Sequence, residues 1–299
     1  MTILFLGVYH EPTNQPTNQP TNQPTKQPSN QAIMVIGHGD SAPVLQETIN
    51  VLDNEKIDFF IHWDKKDLQP KLHSKKSKIF FVDPIEVRWG TDTQIKAELL
   101  LMQAVQRHGG YTMAHLISAA DMPLMDANYF LNYFDGRKSY LGFSQTPNNI
   151  GEDIVQRIKY YWPDRDLKGH KLYIRLFIAK NKLLGTDRLK DHTLQLYKGA
   201  NWFSINTTYF DKVIMADKTP FFHSFCADEL FMQTILPELN WQDNKVDDNT
   251  QAARYVDWGR GTPYTFKIDD VMELERVKNT KYAFARKVTD PSVVKAVFV

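Results

Sequence analysis

Short, nearly continuous apolar runs alternate with segments of helical periodicity along the first half of this chain. The runs are AIMVI at residues 32–36, IDFFIHW at 57–63 and MAHLI within 113–117. Such runs are typical of strands buried on both faces of a parallel sheet. Between the first two runs, the apolar residues at helical spacing are Val44, Leu45, Ile49 and Leu52. This strand-helix-strand order predicts an α/β fold with a mostly parallel central sheet flanked by helices.

The pattern continues with a helix predicted at 91–106, stopped by two glycines, before the third run. That run delivers residues 118–124 to the carboxyl edge of the sheet, where open α/β sheets place their ligands. Ser41 is expected to cap the first helix. Weak periodicity at 135–198 favours irregular loops over an acceptor groove. Later elements are predicted as a strand at 202–206 and helices at 207–215 and 228–236.

Residues 12–31 are five tetrapeptides, PTNQ three times and then PTKQ and PSNQ. They contain no large apolar side chain, so they cannot bury enough surface to offset the entropy lost on ordering. We expect a disordered arm at 1–31 and one domain at 32–299. Repeats of the tetranucleotide CCAA would encode Pro-Thr-Asn-Gln, and slippage by one unit would shift the downstream frame. Such tracts resemble those of phase-variable surface-glycan genes in host-adapted bacteria. The alternative is a passive tail.

The charge and the cysteine content of the chain restrict its possible binding partners and its cellular compartment. Lys and Arg total 36 against 35 Asp and Glu, a net charge of +1, so no nucleic-acid partner is expected. The one cysteine, Cys226, excludes an intramolecular disulfide and favours the cytoplasm. The apolar run at 3–9 is too short to span a bilayer and lacks a basic leader. We therefore expect no integral membrane segment, and at most peripheral contact with the inner face of the cytoplasmic membrane.

Several motifs follow one another between residues 32 and 290. They are IHWDKK at 61–66, SAADMPL at 118–124, GANWFSI at 199–205, CADELFMQTIL at 226–236, ARYVDW at 253–258 and YAFARK at 282–287. In this order they resemble IHVDKK, SGQDFPL, GSQWFVL, SPDEHFWATLL, RYIDW and LFARK of the core-2/I-branching enzymes, the β-1,6-N-acetylglucosaminyltransferases of glycosyltransferase family 14. The chain resembles a bacterial branch of this family.

The resemblance implies an A-type glycosyltransferase fold, with a Rossmann-like nucleotide-sugar half at 32–134 and an acceptor-binding, catalytic half at 135–299. It implies transfer from a UDP-sugar with inversion, without a metal or other cofactor. The donor sugar would be N-acetylglucosamine or xylose. The acceptor would be an oligosaccharide or glycolipid of the cell surface, such as lipooligosaccharide or capsule.

The family's catalytic base falls on Glu229, and its diphosphate-binding lysine falls on Lys287. An inverting transfer needs one base for the acceptor hydroxyl and cations for the departing diphosphate. Read without the family, Asp228 and Glu229 would simply favour a helix N-terminus, and Lys287 would be a solvated surface lysine. The family also has an upstream arginine on the diphosphate. Because the spacing here is shorter, three candidates stay open: Arg260, Lys267 and Arg286.

Residues near the predicted strand ends are candidates for the nucleotide: His38, His62, Asp64 and Asp121. Asp64 could accept hydrogen bonds from the uracil or ribose, or could cap a loop. The candidates for the acceptor or the donor sugar are Trp202, Asp228, Arg254 and Trp258. Indole rings stack on sugar faces, although core packing explains either tryptophan alone. No metal site is predicted, because Ala119 replaces a second carboxylate near Asp121 and the two histidines lack further ligands.

Two other functions remain open from the sequence. A metal-dependent A-type glycosyltransferase of another family could use Asp164 and Asp166 with manganese, although an arginine lies between them and no buried strand precedes them. A non-catalytic carbohydrate-binding or nucleotide-binding protein could keep the fold without the chemistry. Retention of both Glu229 and Lys287 argues against the second.

Overall fold

The computed structural model describes residues 30–190, 192–240 and 246–298. Its strands are β1 Asn30–Gly37, β2 Ile57–Trp63, β3 Ile79–Phe81, β4 Tyr111–Ser118, β5 Asp121–Pro123, β6 Ser204–Asn206, β7 Arg254–Val256 and β8 Phe284–Arg286. Its helices are α1 Ala42–Leu52, α2 Thr93–His108, α3 Ala127–Tyr133, α4 Glu152–Lys159, α5 Lys171–Leu183, α6 Phe210–Met215, α7 Asp228–Ile235, α8 Asp248–Gln251, α9 Val271–Val277 and α10 Pro291–Phe298.

The central sheet has the strand order β3-β2-β1-β4-β6. The first four of these strands are parallel, and β6 runs antiparallel to β4. The predicted α/β class with a mostly parallel sheet is therefore confirmed. Strand β1 lies between β2 and β4 in the sheet. The chain passes from β1 to β2 on one side and later returns to β4 on the other side, which makes a topological switch point beside β1. A crevice forms at such a point, at the carboxyl ends of the strands.

Both faces of β1 are buried, which explains its unbroken apolar run. Ala32 and Met34 pack on one face with apolar residues of α2 and α7. Ile33 and Val35 pack on the other face with Leu45 and other residues of α1. Side chains alternate between the two faces of a strand, so a strand covered by helices on both sides needs apolar residues at every position.

A second, three-stranded sheet has the order β5-β8-β7. Its strands β5 and β8 are antiparallel, and Asp121 lies opposite Arg286. Apolar residues of this sheet pack with α9, α10 and Val44 of α1. This small sheet therefore lies next to the start of α1, at the carboxyl end of the central sheet.

The structure corrects three sequence predictions. The predicted arm lies outside the described residues up to position 29, but Asn30 and Gln31 belong to β1. Gln31 is fully buried, and its side chain bonds the Phe134 carbonyl and the His115 ring. Residues 135–198 contain α4 and α5 and are not all irregular. Ser41 stands at the N-cap of α1, but its hydroxyl donates to the His38 carbonyl and makes no cap hydrogen bond.

The described helices also bear on membrane insertion. None of those within residues 30–190, 192–240 and 246–298 is long and apolar enough to cross a bilayer.

Candidate active site

A cavity of about 670 Å³ opens at the carboxyl ends of β1 and β4. It is the crevice that the topological switch point predicts. Residues from three parts of the fold line it: His38, Ser41, Trp89, Ser118, Lys168, Arg286 and Lys287. Gly37 must lack a side chain here, since a Cβ would lie 2.3 Å from the Trp63 ring. The chain can therefore turn out of β1 directly into the cavity wall.

Two cations at the end of β8 face this cavity. Arg286 donates to the Asp121 carboxylate at 2.8 Å and to the Ser118 hydroxyl at 2.6 Å. Its guanidinium also stacks over the Trp202 ring, 4.3 Å from the centroid. Lys287 differs, because its ammonium forms no ion pair or hydrogen bond with any residue of the described chain. One cation is thus held rigidly, and the other is free to meet an anion.

Glu229 lies in the first turn of α7 and is held through one carboxylate oxygen. Its Oε2 accepts a hydrogen bond from Arg157 Nη1 at 2.8 Å and lies 3.4 Å from Lys198 Nζ. Its Oε1 accepts no hydrogen bond from the described residues, and the side chain is 38% exposed. Burial would lower the pKa of the Arg157 guanidinium, but the charge and the hydrogen bond of Glu229 outweigh that effect and raise the pKa of Arg157. The carboxylate is therefore oriented and still has one free oxygen.

Two further carboxyl groups are buried behind Glu229. Burial, assisted by the charge of Glu229, raises the pKa of Asp228 to about 7. Its Oδ2 accepts a hydrogen bond from Gln94 at 3.3 Å, while its Oδ1 has no partner in the described chain. Burial, with Asp228 nearby, raises the pKa of Glu98 well above its usual range. Glu98 and Asp228 are both buried, so Glu229 is the accessible carboxyl group of the three.

Glu229 is connected to the cavity by two short segments. On one side, Gly199 N–H donates to the Glu229 carbonyl at 3.0 Å, and three residues later Trp202 lies under Arg286. On the other side, the cavity residue Trp89 contacts the Phe225 ring edge-on at 5.8 Å, four residues before Glu229. These contacts link the segment that contains Glu229 to Trp89 and Arg286 in the cavity wall, although Glu229 is not itself among the residues that line the cavity.

Several predicted nucleotide residues lie behind the cavity wall. His62 is buried, and its Nε2 accepts the Ile85 N–H at 3.0 Å. Burial lowers the pKa of His62, so its ring is neutral near pH 7. Asp64 is also buried, and accepts from the Lys66 N–H while pairing with the Lys66 ammonium at 3.3 Å. Asp121 is buried in its ion pair with Arg286. Of the four, His38 is exposed and lines the cavity.

Two of the residues predicted to bind the acceptor or the donor sugar, Arg254 and Trp258, lie in different surroundings. Arg254 is 1% exposed and donates to the carbonyls of Ala252, Leu116 and Phe203 and to the Ser204 hydroxyl. Burial lowers the pKa of Arg254 to about 9. It supports the junction of the two sheets from inside. Trp258 is 58% exposed, in the loop whose Thr262 and Pro263 border the cavity.

The three candidates for the second contact with the diphosphate differ in their partners and in their position relative to the cavity. Arg260 is held by three carboxylates, those of Asp257, Asp270 and Glu273. Lys267 is exposed and is not part of the cavity wall. Arg286 lines the cavity. Of the three candidates that the sequence left open, Arg286 is therefore the one that lines the cavity.

Sequence reasoning missed the two cations beside Glu229, Arg157 and Lys198. Arg157 is 72 residues away along the chain and lies on a helix that weak periodicity concealed.

The two carboxylates considered as manganese ligands have partners within the protein. Asp164 pairs with Arg88 at 2.9 Å, and Asp166 accepts a hydrogen bond from the Lys168 N–H. Within the described residues, no three His, Cys, Asp or Glu side chains gather as metal ligands.

Comparison with known proteins gives one family over most of the chain. The family model described as "Core-2/I-Branching enzyme" matches residues 32–279. A second model, described as "PT disordered repeat", matches residues 10–33. No curated protein matches the chain. The first match covers the central sheet, α7 and Glu229, and it ends before Arg286 and Lys287.

Proposed function

Because this chain belongs to the core-2/I-branching enzyme family of glycosyltransferases, we propose that it is an inverting, metal-independent enzyme that uses a UDP-sugar. The sugar is N-acetylglucosamine or xylose. The acceptor is a hydroxyl of a cell-surface glycan, such as lipooligosaccharide or capsule, reached from the inner face of the cytoplasmic membrane. The fold and family support the transferase class. The substrates are our proposal.

The observation that carries the proposal is an oriented and accessible Glu229 whose segment is linked through Trp202 to Arg286 in the cavity wall. Glu229 Oε1 is free to accept a proton, while Arg157 and Lys198 hold Oε2. A general base must be oriented and accessible at once, and this arrangement provides both. Arg286 and Lys287 supply positive charge in the cavity wall, where a departing diphosphate can bind.

The reaction is a single in-line displacement. The acceptor oxygen forms a bond to the anomeric carbon as Glu229 Oε1 takes its proton. The bond from that carbon to the diphosphate oxygen breaks, and its electron pair leaves with UDP. Lys287 and Arg286 neutralise the growing negative charge, so no acid is needed for the leaving group. Trp202, which lies under Arg286, keeps the guanidinium directed into the cavity. His38 and Ser41 border the same cavity and can contact the nucleotide.

The decisive experiment is release of UDP from a panel of UDP-sugars with glycan acceptors, with and without EDTA. We expect one donor to be consumed and EDTA to leave the rate unchanged, since protein cations take the place of a metal. Loss of turnover in EDTA and its return with manganese would establish the metal-dependent alternative. Binding of UDP-sugar without transfer to any acceptor would favour a non-catalytic binding protein.

The role of the base is tested with Glu229→Gln. Glutamine can still accept the Arg157 hydrogen bond but cannot take the proton, so turnover should fall about 100-fold or more with UDP affinity kept. The matched control is Glu238→Gln, because Glu238 also pairs with a cation, Lys212, outside the site. Turnover near that of the control would place the base elsewhere.

The role of the diphosphate cation is tested with Lys287→Ala. UDP affinity and turnover should both fall, whereas Lys267→Ala removes an exposed lysine outside the cavity and should change neither. Equal UDP affinities in the two variants would contradict the role given to Lys287.

A further inference from the structure

Helix α5 is apolar on two sides, and one of these sides has no partner in the described chain. The inner side places Tyr173, Ile174, Phe177 and Ile178 against Tyr160, Trp162 and Leu167. The outer side exposes Leu172 by 71%, Leu176 by 62% and Leu183 by 88%. These leucines recur at intervals of four and seven residues, so they form one stripe along the helix. Leu184, which is 66% exposed, extends the stripe past the end of α5.

The same helix concentrates positive charge. Lys171, Arg175, Lys180 and Lys182 lie on α5, which has no acidic residue. None of these four cations forms an ion pair with another described residue. At helical spacing, Lys171, Arg175 and Lys182 border the leucine stripe on one side and Lys180 borders it on the other. The chain as a whole has a net charge of only +1, so this charge is local to α5.

An exposed apolar stripe with cations along both borders is the pattern of a helix that lies in the interface of an anionic bilayer. The leucines enter the acyl boundary, and the cations meet the lipid phosphates. A second copy of the chain fits this face poorly, because pairing two α5 helices would bring eight unpaired cations together without any counter-charge. Charge complementarity therefore selects an anionic lipid surface over self-association.

The position of α5 relative to the active site also fits this occupant. Lys168 lines the cavity and stands three residues before the first residue of α5. The Arg165 guanidinium stacks on Tyr173 at 4.7 Å, which attaches the connecting segment to the helix. A membrane bound along α5 would therefore lie next to the cavity mouth.

We propose that the outer face of α5, formed by Leu172, Leu176, Leu183, Leu184 and the four adjoining cations, docks this protein on an anionic membrane surface. Docking brings lipid-linked glycans to the cavity. That last step rests on the proposed function, but membrane binding does not, and it is measured without any turnover.

The experiment is co-sedimentation of the full chain with vesicles of phosphatidylcholine alone or with about one quarter phosphatidylglycerol. We expect binding to the anionic vesicles, weakened at least tenfold when the salt concentration rises from about 0.1 M to about 0.5 M. The triple variant Leu172→Ser/Leu176→Ser/Leu183→Ser should bind at least tenfold more weakly. The matched control is Met215→Ser/Met272→Ser, which removes exposed methionines elsewhere and should bind as the wild type does.

A second variant keeps the test valid if the serine variant does not fold. Changing Lys171, Arg175, Lys180 and Lys182 to glutamine should abolish the preference for anionic vesicles while leaving the melting temperature and UDP-release activity on a soluble acceptor unchanged. Equal binding to neutral and anionic vesicles, or binding unaltered in both variants, would overturn the proposal. So would a dimer in sedimentation velocity that the leucine substitutions dissociate, because it would show that a second copy covers the stripe.

Discussion

Replacing Arg286 by methionine tests whether one residue both stabilises the fold and binds the donor. Asp121 is 1% exposed, and Arg286, its ion-pair partner at 2.8 Å, is 22% exposed. Removing one partner of a buried pair costs about 3–5 kcal/mol, because the other charge stays buried. Here Arg286 is partly solvated, the Ser118 N–H still donates to Asp121, and Arg254 remains near it. We therefore expect a loss of about 2–3 kcal/mol.

For a folded chain of this size, that loss lowers the melting temperature by about 4–6 °C. The double variant Arg286→Met/Asp121→Asn removes the unpaired charge and leaves an oxygen for the Ser118 N–H, so it should regain at least half of the lost stability. UDP affinity behaves differently. Losing a hydrogen bond from a charged group costs about 1.5–3 kcal/mol, or about 10–100-fold in affinity. The two variants should bind UDP equally weakly.

Calorimetric unfolding gives the stabilities, and isothermal titration with UDP gives the affinities. The reasoning about Asp121 fails if the double variant unfolds at the same temperature as the single variant. The donor role of Arg286 fails if either variant binds UDP as tightly as the wild type.

Three further predictions concern pH, packing and the repeat. Burial raises the pKa of Asp228 to about 7, so the folded state favours the protonated form of this carboxyl group. As the pH rises from about 4 to about 7, the stability of the wild type should therefore fall relative to that of Asp228→Asn. Urea unfolding at a series of pH values measures this, and parallel profiles would contradict it. Gly199→Ala should cost about 1–3 kcal/mol, since its Cβ would lie 1.8 Å from the Gly142 carbonyl oxygen, whereas Gly259→Ala should cost little; equal melting temperatures would refute the packing argument. A variant lacking residues 2–29 should keep full specific activity, and a folded but inactive variant would refute a passive arm. The gene should carry CCAA units whose number varies among isolates, and codons that break the CCAA pattern would refute slippage.

The strands that are buried on both faces of the sheet could be predicted from the sequence. The predicted second strand agrees with β2 at Ile57–Trp63, and the first and third runs fall inside β1 and β4. Such strands are covered on both faces, so the sequence pattern depends on the strand alone. Gln31 was missed because its polar side chain forms hydrogen bonds with Phe134 and His115, which are 103 and 84 residues later in the chain. Long-range hydrogen bonds of this kind leave no local signal.

Helix α5 escaped prediction for a related reason. Its apolar residues occupy both the side packed on Trp162 and the outer leucine stripe, so the contrast between two faces is weak. For the site, the motifs indicated Glu229 and Lys287, and the end of the first predicted strand indicated His38; of these three, Lys287 and His38 line the cavity. They could not indicate that Arg157 and Lys198 would hold Glu229, because the pairing depends on how the tertiary fold brings α4 and the loop at Lys198 to the start of α7.

Strand pairing explains why the motifs at 118–124 and 282–287 lie together although Asp121 and Arg286 are 165 residues apart in the chain. Asp121 opens β5 and Arg286 ends β8, and the two residues are register partners in an antiparallel pair. The Ser118 hydroxyl, at the end of β4, accepts a hydrogen bond from the same arginine. The central sheet thus positions the small sheet, and the small sheet positions Arg286 and the adjacent Lys287. Although the family match ends at residue 279, these contacts attach the unmatched terminal segment to the matched carboxyl edge, where the cavity lies.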